Sequence, residues 1–126
     1  MIAQILIADD DEEFRGMLKD YLLSRNHRVI EASDGAQAFA VAEKEMPHLI
    51  LMDVVMAGLY GTTAVHRLRS YRKTSKIPII LMSGSTDRQA LGIEDQPNLR
   101  FLNKPFDFKA LDEMIREMLP HGGYTP

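Results

Sequence analysis

Leu-Ile-Leu-Met-Asp, residues 49–53, is a short apolar run that ends in a carboxylate. A run of this kind is typical of a strand that is buried on both faces of a parallel sheet. Other apolar runs also lead into polar side chains: residues 5–8 into Asp9, Asp10 and Asp11, residues 79–82 into Ser83, and residues 101–102 towards Lys104. The carboxyl ends of parallel strands meet at one edge, where open α/β sheets bind their ligands. The sequence therefore predicts a site there with carboxylates, a hydroxyl and an ammonium group.

Helical patterns lie between these runs. Apolar residues after the first strand recur at i, i+3, i+4, i+7 and i+8, and predict one buried helical stripe: Phe14, Met17, Leu18, Tyr21 and Leu22. Residues 36–46 predict an Ala-rich helix that Pro47 ends, and a stripe behind an N-cap at Asp107 predicts the last helix. Residues 77–82 are expected to be the fourth strand. Residues 87–95, interrupted by Gly92, predict a short helix.

Val29 to Ala32 predict a further strand, and a helix with Ala64, Val65 and Leu68 on its inner face is expected after a loop through Gly58 and Gly61. Five strands then alternate with five helices, which indicates an α/β fold. Right-handed crossovers then predict a flavodoxin-like, doubly wound (βα)5 domain with a parallel sheet of order 2-1-3-4-5 and helices on both faces. Its switch point lies between the first and third strands, where Asp9, Asp10 and Asp53 are found. We expect residues 1–120 to form this domain and residues 121–126 to be a flexible C-terminal tail.

Composition limits the classes of function. The formal net charge of -3 provides no global positive field for nucleic acid or an anionic membrane. The chain has no cysteine, which excludes disulfides and thiolate metal sites. No apolar stretch approaches the roughly 20 residues that a membrane span requires. We therefore expect a soluble cytoplasmic protein.

The acidic turn after the first strand predicts a metal. A nucleotide-binding sheet would place a glycine-rich turn there, whereas three aspartates repel phosphate unless a divalent cation lies between. Oxygen ligands of this type suit Mg²⁺, with Mn²⁺ as the alternative. Asp53 is then the candidate nucleophile that accepts a phosphoryl group, and Lys104 and Ser83 are the candidates to neutralise its oxygens.

Each of these residues alone also has an ordinary structural explanation. An aspartate among residues 9–11 commonly caps the following helix, and Asp10 and Glu13 have the spacing of a capping box. Ser83 alone is a typical loop hydroxyl, and Lys104 alone a solvated amine. Their joint position after four predicted strands favours a functional site.

The four stretches together resemble the receiver domains of two-component response regulators, from Ile5 to about Leu119. The matching segments are Ile-Leu-Ile-Ala-Asp-Asp-Asp-Glu at 5–12, Leu-Ile-Leu-Met-Asp-Val-Val-Met at 49–56, Pro-Ile-Ile-Leu-Met-Ser-Gly at 78–84 and Phe-Leu-Asn-Lys-Pro-Phe at 101–106. The resemblance implies that Asp53 is the phosphoacceptor. It also implies that Asp9, Asp10, Asp53 and the backbone carbonyl of Val55 hold Mg²⁺.

The resemblance further implies a switch. Ser83 would contact the phosphoryl group in place of the more frequent Thr, and Lys104 would pair with it, next to a cis peptide to Pro105. The inward movement of Ser83 would let Phe101 rotate and change the face formed by the family's fourth helix, fifth strand and fifth helix. Phe101 is equally well explained as a buried strand aromatic. The apolar Val55 cannot orient an attacking water, which indicates slow self-dephosphorylation.

Partners also follow from the resemblance. The phosphoryl donor would be a sensor histidine kinase or a histidine phosphotransfer protein, and the output a downstream effector protein. Direct binding of nucleic acid or a membrane is not expected. The chain would be a monomer or a phosphorylation-dependent dimer, and a signalling domain rather than an enzyme.

Alternative functions remain open at this point. A phosphatase of the haloacid-dehalogenase type needs a second aspartate two positions after its nucleophile, where this chain has Val55. A docking module that is never phosphorylated would lack one of the site side chains, yet all are present. DNA binding would depend on a basic group that more readily neutralises the end of the third helix: Arg67, Arg69, Arg72, Lys73 and Lys76.

Overall fold

A computed structural model describes residues 2–56, 60–84 and 96–119. In chain order the elements are β1 (Gln4–Ala8), α1 (Glu12–Ser24), β2 (Arg28–Ala32), α2 (Gly35–Glu45), β3 (Leu49–Asp53), α3 (Gly61–Ser70), β4 (Ile79–Ser83), β5 (Leu99–Asn103) and α4 (Phe108–Met118). The predicted helix at 87–95 and the predicted tail at 121–126 lie outside the described residues. Within the described part of the chain, no helix is long and apolar enough to cross a bilayer.

The five strands form one parallel sheet of order β2-β1-β3-β4-β5, which confirms the predicted flavodoxin-like topology. The chain moves outwards from β1 to β2 and then crosses to β3, so the switch point lies between β1 and β3. Ala8 pairs with Met52 in the parallel register. The next residues, Asp9 and Asp53, therefore follow at the same level of neighbouring strands.

Helices cover both faces of the sheet because alternate residues of each buried strand point to opposite sides. One core cluster joins the strands to α2 and α3, with Leu6, Ile50, Ile79, Ala42, Ala64 and Leu68 among its members. The other joins them to α1 and α4, with Ile5, Leu51, Ile80, Leu18, Leu22 and Ile115 among its members. Both cores hold the strands in register up to the edge that carries the acidic residues.

The caps of the helices explain how the acidic turn is divided between two roles. Asp11 is the N-cap of α1, and its carboxylate accepts a hydrogen bond from the Phe14 amide at 3.1 Å. Of the three aspartates that could cap this helix, Asp11 is thus the one that does, and Asp10 lies before the cap. Asp107 caps α4 as predicted, accepting from the Ala110 amide at 2.7 Å.

Two predicted details of the elements differ in the structure. Met17 was expected in the buried stripe of α1 but is exposed, because it lies at the edge of the arc whose centre is the buried pair Leu18 and Leu22. The fourth strand begins at Ile79 rather than Ile77, since the Ile77 amide closes a turn onto the Thr74 carbonyl. The strand also ends one residue later than predicted, so Ser83 is the last residue of β4.

Candidate functional site

Three carboxylates converge at the switch point. Asp9 and Asp10 directly follow β1, and Asp53 is the last residue of β3. One oxygen of each carboxylate lies within 4.8 Å of an oxygen of both others. The structure therefore brings together the three side chains that the sequence predicts as metal ligands.

Lys104 lies between two of these carboxylates. Its Nζ is 3.2 Å from Asp9 Oδ2 and 3.2 Å from Asp53 Oδ2. The Lys104 amide donates to the Ser83 carbonyl at 2.8 Å, which ties the segment after β5 to the end of β4. The peptide bond from Lys104 to Pro105 is cis, as expected. The ammonium group also lies 4.2 Å from the centroid of the Phe14 ring, a cation–π contact from the first turn of α1.

The site is partly shielded from water, and this affects its electrostatics. The Asp9 side chain is 0% exposed, while those of Asp53 and Lys104 are 14% and 27% exposed. Burial raises the pKa of the Asp9 carboxyl above its ordinary value, and the neighbouring Asp53 raises it further, while the Asp11 amide and Lys104 oppose both effects. A cation bound in the cleft would offset both effects, because it would stabilise the ionised form of Asp9.

The donor set fits Mg²⁺. Oxygens that share one Mg²⁺ at about 2.0–2.1 Å lie roughly 3–4 Å apart, so carboxylates within 4.8 Å of one another need only small adjustments to hold the ion or its waters. The Val55 amide lies 3.4 Å from Asp53 Oδ1, which keeps the backbone after β3 beside the carboxylate. Val55 is 64% exposed, and its apolar side chain offers no ligand atom to the cluster.

The two predicted switch residues lie on neighbouring strands. Ser83 is buried at the end of β4 and is opposite Asn103 in the register. Phe101 is opposite Leu81, is partly buried, and packs against the core cluster on the side of α2 and α3. Ser83 thus lies at the sheet edge where β4 ends, whereas Phe101 lies deeper along β5.

Gly61, the first residue of α3, is a close neighbour of the phosphoacceptor candidate that the sequence analysis placed only in a loop. A Cβ built on Gly61 would lie 2.3 Å from the Asp53 carbonyl oxygen and 3.0 Å from Val54 Cα. The Gly61 amide donates to the Val54 carbonyl at 2.8 Å, which draws α3 onto this segment. Only a residue without a side chain allows this approach.

We expect Gly61→Ala to lower the free energy of unfolding by about 1–3 kcal/mol, because the added methyl must displace the end of β3 or the start of α3. Gly16→Ala is the matched control, since a Cβ at Gly16 meets nothing within 4 Å. It should raise the free energy of unfolding by about 0.5–1 kcal/mol through helix propensity. Urea unfolding of the two variants measures both effects. Equal stability of the two variants would contradict the close approach at Gly61.

Sequence reasoning missed two further residues beside the site. Arg15 in α1 donates from Nη1 to the Asp9 carbonyl at 2.7 Å, and Phe14 was predicted only as a core residue although its ring faces Lys104. Both contacts depend on how α1 is rotated against the sheet, and no sequence motif signals this. The basic group at the end of α3 and just after it is also partly structural. Arg69 donates to the Ile77 and Asn98 carbonyls at 2.8 and 2.9 Å, so it anchors β4 and β5 rather than facing a ligand.

Comparison with known proteins places this geometry in a family. Residues 5–116 match the profile described as "Response regulator receiver domain". Protein PilH of Pseudomonas aeruginosa is 33% identical over 120 residues, which cover 94% of this chain and 98% of PilH. Response regulator PleD of Caulobacter vibrioides is also 33% identical over 120 residues, but these cover 94% of this chain and only 26% of PleD. The chain thus spans nearly all of one relative and about a quarter of the other.

Solved structures agree with the sequence matches. The receiver domain of the sensor histidine kinase PA1611 from Pseudomonas aeruginosa PAO1, solved with a magnesium ion coordinated in its active site cleft, superposes with a TM-score of 0.84 at 26% identity. The superposition covers 94% of this chain and 98% of that domain. The fold of this chain agrees with these matches. The chain belongs to the response regulator receiver domain family, the phosphoacceptor signalling domains of two-component systems.

Proposed function

We propose that Asp53 accepts a phosphoryl group, in the presence of Mg²⁺, from the phosphohistidine of a sensor histidine kinase or a histidine phosphotransfer protein. One observation carries the proposal: the Asp53 carboxylate ends β3 within 4.8 Å of Asp9 and Asp10 and within 3.2 Å of the Lys104 ammonium. A nucleophile, a set of metal ligands and a fixed cation thus share one cleft. Phosphoryl transfer needs mainly this kind of positioning and charge neutralisation.

The proposed transfer needs only Asp53 and the phosphohistidine of the donor as reactants. An Asp53 carboxylate oxygen attacks the phosphorus and forms an acyl phosphate, while the bond from phosphorus to the donor imidazole nitrogen breaks and that nitrogen keeps the electron pair. The backbone hydrogen bond from the Lys104 amide to the Ser83 carbonyl holds Lys104 in place. Its ammonium group, which pairs with the Asp53 carboxylate, would then pair with a phosphoryl oxygen. The Ser83 hydroxyl is the proposed donor to a second oxygen.

The proposed metal ligands are Asp9, Asp10, Asp53 and the Val55 carbonyl, with Asp9 acting through water. When bound, Mg²⁺, or Mn²⁺ in its place, neutralises charge on the carboxylates and on the phosphoryl oxygens. The convergence of the three carboxylates supports this assignment. The magnesium ion in the cleft of the PA1611 receiver domain, at 26% identity, supports it as well.

The proposed output is a change of surface. Ser83 would move towards the phosphoryl group, and Phe101 would rotate into the space beside β4. This would alter the face that receiver domains form from their fourth helix, fifth strand and fifth helix, the last two of which are β5 and α4 here. Phe101 is partly buried and packs against the core cluster, which supports the proposal that a rotation of its ring would change both that packing and its exposed side. A downstream effector protein would read this face, either on the monomer or on a phosphorylation-dependent dimer. We propose a cytoplasmic location and no direct contact with nucleic acid.

The phosphatase alternative is weaker on the same geometry. Rapid hydrolysis of an acyl phosphate requires a general base or acid beside the nucleophile. Val55 occupies that sequence position, and its apolar side chain is exposed to solvent. We therefore propose slow self-dephosphorylation of Asp53 and no turnover of free phosphomonoesters.

Intact mass spectrometry after incubation with acetyl phosphate tests the proposal. We expect the chain to gain one phosphoryl group with Mg²⁺ and none with excess chelator, because without the cation the three carboxylates repel the donor. Addition of Mg²⁺ to the chelated sample should restore the gain. Circular dichroism of both samples checks that the chain remains folded.

Two results would contradict the proposal. Equal phosphoryl gain with and without chelator would exclude the metal from the reaction. Sustained release of phosphate from a phosphomonoester, over many turnovers, would favour the phosphatase.

A further inference from the structure

Arg15 bridges two parts of the fold beside the acidic cluster. Its Nη1 donates to the Asp9 backbone carbonyl at 2.7 Å, and its Nε donates to Glu31 Oε1 at 3.1 Å. The guanidinium therefore joins α1, the end of β1 and the end of β2. The side chain is only 16% exposed, so this arrangement is more constrained than a surface ion pair.

Glu31 fixes the guanidinium in this position. Its second oxygen accepts from Lys19 Nζ at 3.1 Å, so two cations share one carboxylate. Burial raises the pKa of Glu31, but the hydrogen bonds from Lys19 and Arg15 outweigh burial and leave the pKa lowered. Glu31 is thus ionised at neutral pH and anchors the charged arginine.

The contact with the Asp9 carbonyl fixes the peptide that leads into Asp10. Upstream, the Asp9 amide donates to the Ala32 carbonyl at 3.1 Å. Downstream, the Asp11 amide donates to Asp9 Oδ1 at 2.9 Å. The first of these hydrogen bonds joins two backbone groups, and the second uses the Asp9 carboxylate itself, so neither can be removed by a substitution outside the cluster. The contact from Arg15 is made by a side chain that can be changed without altering any carboxylate of the cluster.

We propose that Arg15 is a positioning residue, which orients the peptide between Asp9 and Asp10 so that both carboxylates are presented to Mg²⁺. The proposal rests on the proposed metal site and adds a determinant of its affinity. Mg²⁺ requires near-ideal octahedral geometry, so a backbone shift at its ligands weakens binding. Partners that hold metal ligands in place affect affinity for the same reason.

Two explanations of the role of Arg15 predict opposite changes in Mg²⁺ affinity when its charge is removed. If Arg15 acts only through its positive charge, Arg15→Gln should tighten Mg²⁺ binding because a cation near the site is lost. If Arg15 positions the acidic turn, Arg15→Gln should weaken Mg²⁺ binding about tenfold. The sign of the change therefore separates positioning from simple electrostatics.

Lys19→Gln is the matched control. Lys19 pairs with the same Glu31 carboxylate but makes no contact with the Asp9 carbonyl among the interactions of the described residues. Its removal takes one positive charge from the same network. We expect the Mg²⁺ dissociation constant of Lys19→Gln to stay within about twofold of that of the unaltered chain, since exposed ion pairs contribute little.

Calorimetric titration with Mg²⁺ measures the affinities, and the Mg²⁺ dependence of phosphoryl uptake gives a second readout. In Arg15→Gln the Mg²⁺ concentration for half-maximal uptake should rise about tenfold, while the rate at saturating Mg²⁺ stays close to that of the unaltered chain. A general loss of stability would not produce this split. Arg15→Lys keeps the charge but cannot reach both partners. Its Mg²⁺ concentration for half-maximal uptake should lie between those of the unaltered chain and Arg15→Gln.

Metal-free NMR separates this inference from the metal site itself. The amide resonances of Asp10 and Asp11 should shift in Arg15→Gln and not in Lys19→Gln. If these shifts are seen but the unaltered chain does not bind Mg²⁺, the contact of Arg15 is real and the metal site is wrong. The role of Arg15 in Mg²⁺ affinity is then wrong as well. Mg²⁺ affinity in Arg15→Gln that is unchanged or tighter, or weakened equally in Lys19→Gln, would overturn the inference while leaving the metal site in place.

Discussion

Asp53→Asn is expected to gain no phosphoryl group from acetyl phosphate and Mg²⁺ under conditions that phosphorylate the unaltered chain. The amide has nearly the shape of the carboxylate but is not a nucleophile towards phosphorus. Its oxygen can still accept from Lys104, whose Nζ lies 3.2 Å from the present carboxylate. The variant should therefore keep its fold and lose only the reaction. Intact mass spectrometry over time measures the loss.

The control for this variant is Asp20→Asn, which removes the same charge from an exposed position on α1. It should be phosphorylated at the same rate as the unaltered chain. Asp53→Asn should also unfold at the same temperature or higher, because Asp53 raises the pKa of the buried Asp9 and its neutralisation relieves that repulsion. Phosphorylation of Asp53→Asn at an unchanged rate would remove Asp53 from the account.

Lys104→Met is expected to slow phosphoryl uptake about a hundredfold, the lower end of the cost of removing one charge-stabilising donor. Methionine has an unbranched apolar side chain of similar length and removes the charge, including the ammonium contact with the Phe14 ring. The same variant leaves the buried Asp9 without its cation, which should cost about 2–3 kcal/mol of stability in the absence of metal, somewhat less than for a fully buried pair because Lys104 is 27% exposed. Stopped-flow kinetics and urea unfolding measure the two effects.

Mg²⁺ should restore only one of the two properties that Lys104→Met loses. The metal should bind more tightly, since no ammonium competes for Asp9 and Asp53, and it should restore much of the stability by binding the folded state. It should not restore the rate. Lys109→Met, at an exposed position on α4, should change stability by less than about 0.5 kcal/mol. A Lys104→Met variant that is phosphorylated at the unaltered rate would limit Lys104 to a structural role.

The fold could be predicted because its strands are short apolar runs with polar ends. The run at residues 49–53 is β3 in the structure, and the polar end of the run at 79–82 became the last residue of β4. The errors concern features that depend on contacts with other parts of the fold, which a local sequence pattern does not reveal. The exposure of Met17 depends on how α1 packs, and the start of β4 depends on a turn through Thr74 and Ile77.

The acidic cluster and Lys104 were predictable for the same reason as the sheet. Parallel strands bring their carboxyl ends together, so residues that follow them meet whatever the loops do. Arg15 and Gly61 were not predictable in this way. Arg15 reaches Asp9 from the second turn of a helix, and Gly61 approaches Asp53 only because α3 returns to the end of β3. Such contacts depend on rotations and approaches that a single sequence does not encode as a motif.

Reductive trapping of the acyl phosphate can identify the aspartate that accepts the phosphoryl group. After phosphorylation with acetyl phosphate and Mg²⁺, borohydride reduces a phosphorylated aspartate to homoserine, and peptide mass spectrometry then identifies its position. The account predicts homoserine at residue 53 and at no other aspartate, with none when Mg²⁺ is chelated. Homoserine at Asp9 or Asp10, or a trapped product that forms equally without Mg²⁺, would contradict it.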